Sequence, residues 1–284
     1  MNSISVLARM TFQEAIRRRI VLTGLVLGIL FLIVFSVGSQ MISTEIERET
    51  IAEGGNAYQN VMRTEFSNFL LMAGLYAVTF LSVAMGALLG ADTLAGEINS
   101  GSIQTILTKP IRRSDVVFGK WLGFAGLLGL YALFMAGGVV TIVFFQSDYI
   151  PRNILAGLSL IYLESLVVMT ISLAGSSAMP ALATGGMVFG LYGLAFLGGW
   201  IEQIGSFMQN PTTLQIGIIT SLIIPTESLW RRAAYEMQTP LASTIGISPF
   251  SAFSVPSLLM VAYAVFYLIL TLIIAVNTFQ QRDI

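Results

Sequence analysis

The chain has 284 residues, of which 55% are hydrophobic and only 10% are charged. Soluble domains carry roughly 25% charged residues, so the composition argues against a water-soluble fold. The formal net charge of −1 gives no overall attraction to nucleic acid. Because the chain contains no cysteine and no histidine, it has no disulfides, no thiolate or imidazole metal sites and no histidine general base.

Six apolar stretches predict an all-α integral membrane protein. A helix needs roughly 20 apolar residues to cross the hydrocarbon core, and its backbone polar groups must be paired within it. We expect one transmembrane domain over residues 1–284. Its spans lie at about 20–38, 69–91, 121–145, 154–173, 181–200 and 257–277.

The basic residues predict the orientation. Six spans put both termini on one side, and arginine and lysine concentrate on the cytoplasmic side of short loops. The terminal side holds nine basic residues and the other side five, so we expect both termini to lie in the cytoplasm. We expect the membrane to be the plasma membrane. The nine are Arg9, Arg17, Arg18, Arg19, Lys109, Arg112, Arg113, Lys120 and Arg282, and the five are Arg48, Arg63, Arg152, Arg231 and Arg232.

Two connecting segments are longer than simple turns. In the cytoplasmic segment 92–120 we expect a short helix over 93–107, a break at Lys109-Pro110, and a new helix capped by Ser114. The external segment 201–256 contains a twelve-residue apolar run at 214–225, too short to span. It predicts a re-entrant or interfacial helix within a compact cap of short helices.

The cytoplasmic segment carries an ordered motif of a glutamate, a Ser-Gly-Ser turn, a leucine, a Lys-Pro pair, an arginine and a Gly-Lys pair. It resembles the coupling loop of the ABC-2 type permeases, in the subgroup that includes the nitrous-oxide-reductase accessory permease. Residues 11–19 and 225–232 resemble that family's elbow helix and its segment between the fifth and sixth spans. The motif residues are Glu97, Ser100, Gly101, Ser102, Leu107, Lys109, Pro110, Arg113, Gly119 and Lys120.

The resemblance implies the permease subunit of an ATP-driven transporter, paired with a second permease subunit and with separate cytoplasmic ATPase chains. Exporters dominate the family, so export is the expected direction. No Gly-x-x-x-x-Gly-Lys-Ser/Thr loop occurs, so we expect no enzymatic activity and no cofactor in this chain, with ATP and magnesium bound by the partner. The implied ATPase interface is Glu97, Gly101, Ser102, Leu107, Lys109, Pro110, Arg112 and Arg113.

Glu164 lies about halfway along the fourth predicted span, where a charged group is costly and is a functional candidate. It can line a translocation pathway, or it can be held by neighbouring hydroxyls for packing alone. Glycine pairs spaced by four, such as Gly86 with Gly90 and Gly186 with Gly190, permit close helix contacts, either within the chain or with a second copy.

Two other classes of protein stay open. One is a secondary transporter driven by an ion gradient, which usually carries several intramembrane charges, whereas here only Glu164 is predicted deep in a span. The other is a membrane scaffold of a maturation system. An ATPase reading frame beside this one, or a co-purifying ATPase, distinguishes the ATP-driven transporter from both.

Overall fold

The computed structural model of the chain describes residues 3–52, 57–99, 112–245 and 254–282. Within these residues the chain forms eleven α-helices and no β-strand. In chain order the helices are α1 Ser3–Arg17, α2 Arg19–Ala52, α3 Ala57–Ala91, α4 Thr93–Asn99, α5 Arg113–Ser147, α6 Ile154–Ala178, α7 Ala181–Phe207, α8 Pro211–Ile223, α9 Thr226–Met237, α10 Pro240–Ile245 and α11 Leu258–Gln281.

Six helical segments of the described chain are long and apolar enough to cross a membrane, which confirms the predicted all-α membrane fold. Most extend beyond the predicted spans, because polar residues at the ends continue the helix past the apolar stretch. The segments are Arg19–Glu45, Val61–Ile98, Arg113–Ser147, Ile154–Ala178, Ala181–Phe207 and Leu258–Gln281.

The centre of the bundle is a close contact between α3 and α6. A Cβ atom on Gly90 would lie 2.6 Å from the Cβ of Ser172, so only glycine fits there. The hydroxyl of Ser172 donates to the carbonyl of Ala87 at 2.6 Å. Gly86 also faces α6, where its Cβ would lie 3.0 Å from the carbonyl of Ser165. The Gly86 and Gly90 pair therefore serves packing within the chain.

The N-terminal helix α1 packs against the start of α5. A Cβ on Gly119 would lie 2.5 Å from the Cβ of Leu7, and one on Gly123 would lie 2.7 Å from the carbonyl of Ala8. Met10, on the opposite side of α1, is exposed. The helix is thus a separate element that lies against the bundle before the first span.

The helix α5 begins earlier than expected. It starts at Arg113 with Arg112 in the capping position, and Ser114 lies inside its first turn, so the predicted Ser114 cap is wrong. The side chain of Arg112 makes no capping hydrogen bond. Asp115 does lie in the first turn, where its negative charge complements the helix dipole.

The segment between the fifth and sixth spans folds back into the bundle. Helix α8 runs antiparallel to α7. Thr220, late in α8, packs against Gly198, and a Cβ atom on the later residue Gly205 would lie 2.7 Å from the backbone nitrogen of Leu214, early in α8. Of the two alternatives left open for this apolar run, the structure supports a re-entrant helix.

Helix α9 does not belong to an outer cap, which corrects that expectation. It packs along α6, where Met237 contacts Gly157. Trp230 is buried, and its ring centroid lies 4.9 Å from that of Tyr76 on α3. A helix this polar can be buried because its charged groups find partners inside the bundle.

Candidate functional site

A buried ion pair links the short helix α4 to the third span. The ammonium of Lys120 on α5 bonds to a carboxylate oxygen of Glu97 on α4. Only 6% of the Lys120 side chain and 14% of the Glu97 side chain is exposed. Lysine is almost never fully buried unless it is paired, so this contact holds the two helices together.

The start of α5 is also bonded to the C-terminal end of the described chain. The guanidinium of Arg113 donates to the carbonyl of Gln280 at 3.0 Å and to that of Arg282 at 2.8 Å. The guanidinium of Arg282 donates to the carbonyl of Ser177 at 2.7 Å. Carbonyls at the ends of helices lack partners within their helix, so the two arginines satisfy them while joining α5, α6 and α11.

Three of the eight predicted interface residues lie in the described chain. Glu97 and Arg113 make the internal contacts above, while Arg112 is exposed. The contact of these residues with an ATPase stays a prediction. The other five, Gly101, Ser102, Leu107, Lys109 and Pro110, lie outside the described residues.

Glu164 lies inside the bundle on α6 and is only 1% exposed. Its Oε2 atom has no hydrogen-bond partner in the described part of the chain. Burial of a polar atom without a partner is costly, and a role of Glu164 in a translocation pathway stays a prediction. Glu227 lies within electrostatic range of Glu164. It is on α9, which forms a re-entrant hairpin with α8 over residues 211–237.

Glu227 was missed by the sequence analysis, which placed it in an external cap. It is 5% exposed on α9. Its pKa is raised from 4.5 to about 7, chiefly by burial, with Arg231 opposing the rise and Glu202 adding to it. The resemblance of residues 225–232 to a family segment was the available signal, but it did not indicate that Glu227 would be buried among the spans.

A second buried ion pair fixes the re-entrant hairpin. The Nη1 atom of Arg231 lies 2.7 Å from Oε1 of Glu202, and Nη2 donates to Oε2 at 2.7 Å. Arg231 is 1% exposed. The hydroxyl of Ser254 donates to Oε1 of Glu202 at 2.8 Å. Since Glu202 is on α7 and Arg231 on α9, the pair holds the hairpin to the fifth span.

A recess of about 620 Å³ lies between α3 and α7. Two tyrosines of its wall, Tyr76 and Tyr192, are within electrostatic range of both Glu164 and Glu227. The structure thus brings the predicted pathway residue close to an aromatic recess. The aromatic wall consists of Tyr76, Phe80, Phe189, Tyr192 and Phe196.

These features define a polytopic α-helical membrane protein with buried polar residues inside its bundle and with α4, α5, α6 and α11 joined by charged side chains at one end. The family model described as ABC-2 family transporter protein matches residues 5–284. The chain therefore belongs to the ABC-2 transporter family, whose membrane permeases associate with ABC ATPases.

One relative is similar over most of the chain but has no stated activity. The chain is 23% identical over 225 residues to the uncharacterized protein YhcI of Bacillus subtilis (strain 168). The match covers 78% of this chain and 67% of that protein.

Proposed function

We propose that this chain is the permease subunit of an ATP-binding-cassette exporter, in which two permease chains form a central pathway and separate cytoplasmic ATPase subunits drive alternating access. Its placement in the plasma membrane with cytoplasmic termini follows from the basic residues of the loops. Within the family, the ordered motif of segment 92–120 favours the subgroup of the nitrous-oxide-reductase accessory permease.

The buried pair of Glu97 and Lys120 is the observation that carries the proposal. An ATPase acts on a permease by moving an element at its cytoplasmic end. Because α4 is joined to α5 by a desolvated charge contact, a displacement of α4 carries the third span with it. The Arg113 bonds extend the same brace to α11.

This geometry divides the interface residues into two roles. Arg112 is exposed and follows the motif segment directly, so it is suited to contact the ATPase together with Gly101, Ser102, Leu107, Lys109 and Pro110. Glu97 and Arg113 are assigned the transmission of the movement, through their contacts with α5 and α11.

The second permease subunit has a suitable contact on α7. No atom of the described chain lies within 4 Å of the Cβ positions of Gly186 and Gly190. Small residues at this spacing let two helices approach closely. Since the Gly86 and Gly90 pair is filled by α6, the pair on α7 is the one suited to another chain.

A second candidate function is favoured by the buried carboxylates. Glu164 is the carboxylate predicted deep in a span, and the structure buries Glu202 and Glu227 as well. Several intramembrane carboxylates suit transport coupled to a cation gradient. Transport that continues with a hydrolysis-deficient ATPase, and that stops when the gradient is dissipated, would favour this candidate.

The test of the proposed function is co-expression with an ABC ATPase whose reading frame lies beside this one. We expect the ATPase to co-purify with the wild-type permease and its hydrolysis to be coupled to the permease in proteoliposomes. Arg112→Glu should reduce co-purification by reversing an exposed charge at the interface. Arg48→Glu is the matched control, because Arg48 is exposed on the opposite side of the membrane. Equal loss in both variants, or no ATPase with the wild type, contradicts the proposal.

A further inference from the structure

We propose that the recess between α3 and α7 binds a hydrophobic organic cation, an amine or onium group carried on an apolar body. The inference rests on the proposed transport function and names its substrate class. It is drawn from the aromatic wall of the recess and from the carboxylates behind that wall.

The recess has the size and lining of a site for such a ligand. Its volume of about 620 Å³ lies within the roughly 300 to 1,000 Å³ of small-molecule sites. The ring centroids of Phe80 and Tyr192 lie 6.3 Å apart, so α3 and α7 contribute to one aromatic wall. Aromatic faces attract cations, most strongly where water is excluded.

Three buried carboxyl groups, those of Glu164, Glu202 and Glu227, lie behind the aromatic wall of the recess. Glu227 is acted on by Glu202 and Arg231, and Glu164 is acted on by Glu227. In the described residues this cluster has three carboxylates and one guanidinium, and that guanidinium is paired with Glu202.

One buried oxygen of this cluster, Oε2 of Glu164, is available to pair with a ligand. It is buried without a hydrogen-bond partner in the described chain, and Glu164 acts electrostatically on both Tyr76 and Tyr192. A cation held against these rings would stabilise the ionised form of Glu164, whose charge burial otherwise disfavours. A neutral apolar ligand or an anion would give no such stabilisation.

The probe is radiolabelled tetraphenylphosphonium, with the full-length permease in nanodiscs of zwitterionic lipid and empty nanodiscs subtracted. Triphenylphosphine oxide has a similar aromatic body and no net charge. We expect saturable binding of the cation, with no competition from the neutral compound. Equal competition by the neutral compound would identify a merely apolar recess and overturn the proposal.

Variants locate the binding. Tyr192→Leu should weaken it about tenfold, a ratio within the range of a desolvated cation–π contact. Tyr192→Phe should stay within about twofold, because the ring is kept. Glu164→Gln should weaken binding at least as much as Tyr192→Leu, while Phe145→Leu, at an exposed site elsewhere, should leave it unchanged. If Glu164→Gln is not monodisperse, the Tyr192 pair decides, and wild-type affinity in Tyr192→Leu overturns the assignment.

The assay uses neither ATP nor an ATPase, so the two proposals fail separately. Binding without a co-purifying ATPase would remove the ATP-driven function and keep the site. A coupled ATPase with no charge-selective binding would keep the function and remove the cation site.

Discussion

Glu97 and Lys120 are 23 residues apart in sequence and form a buried ion pair between α4 and α5. Both belong to the ordered motif of segment 92–120, so two residues that resemble a family pattern contact each other. The pair joins these positions inside the chain, and the proposed function assigns them the transmission of movement from α4 to α5.

Removing one partner of this pair should destabilise the permease and uncouple it. Glu97→Ala leaves the Lys120 ammonium buried and unpaired, which typically costs about 3 to 5 kcal/mol. The double substitution Glu97→Leu with Lys120→Met should recover most of the thermal stability, since a well-packed apolar pair can replace a buried ion pair. Thermal unfolding in detergent and ATPase coupling are measured for each.

The double variant distinguishes an effect on stability from an effect on the transmission of movement between α4 and α5. We expect it to insert and to bind the ATPase while its hydrolysis responds less to the permease, because the charge contact between α4 and α5 is gone. Wild-type coupling in a stable double variant would show that the pair serves packing only.

The Arg231 and Glu202 pair should be the main lock of the re-entrant hairpin. Arg231→Met leaves a buried carboxylate without its partner and should lower stability by about 3 to 5 kcal/mol. Arg232→Met is the matched control, because Arg232 is a neighbouring arginine whose partner Glu236 is on the same helix. Thermal unfolding of the purified proteins checks this, and equal shifts in the two variants would contradict it.

Glu227 should make the stability depend on pH. Because its pKa is raised from 4.5 to about 7, the folded protein keeps a proton that the unfolded chain releases between these values. Stability should therefore fall as pH rises through that window and level off above it. Arg231, Glu202, Glu164, Tyr76 and Tyr192 are the ionisable groups around this carboxyl.

The matching variant is Glu227→Gln, which keeps the shape and removes the titration. Its melting temperature should change less than that of the wild type between about pH 5 and pH 8. Glu45→Gln, at an exposed position, should follow the wild-type profile. A Glu227→Gln profile as steep as the wild-type profile would place the pH dependence elsewhere.

Cysteine labelling tests the orientation in a chain that has no cysteine of its own. Arg112→Cys and Arg48→Cys place single thiols at two exposed positions. We expect a membrane-impermeant maleimide to label intact cells only at position 48, and inverted vesicles only at position 112. The reverse pattern would invert the predicted topology.

The sequence by itself determined the six spans and the resemblance that the family match supports. These are local properties, since length and apolarity fix a membrane helix and an ordered motif is read along the chain. The burial of α9 could not be predicted from such local properties. Its residues are polar, and nothing in residues 226–237 indicates that Arg231 pairs with Glu202 of α7.

Only the tertiary structure decided which polar residues are buried together. Glu164, Glu202 and Glu227 come from three helices, and their proximity depends on a hairpin that folds back between the spans. The same holds for the glycine pairs, which are alike in sequence although α6 fills one and the other is open. Burial and pairing are relations between segments, so composition and spacing within one segment cannot specify them.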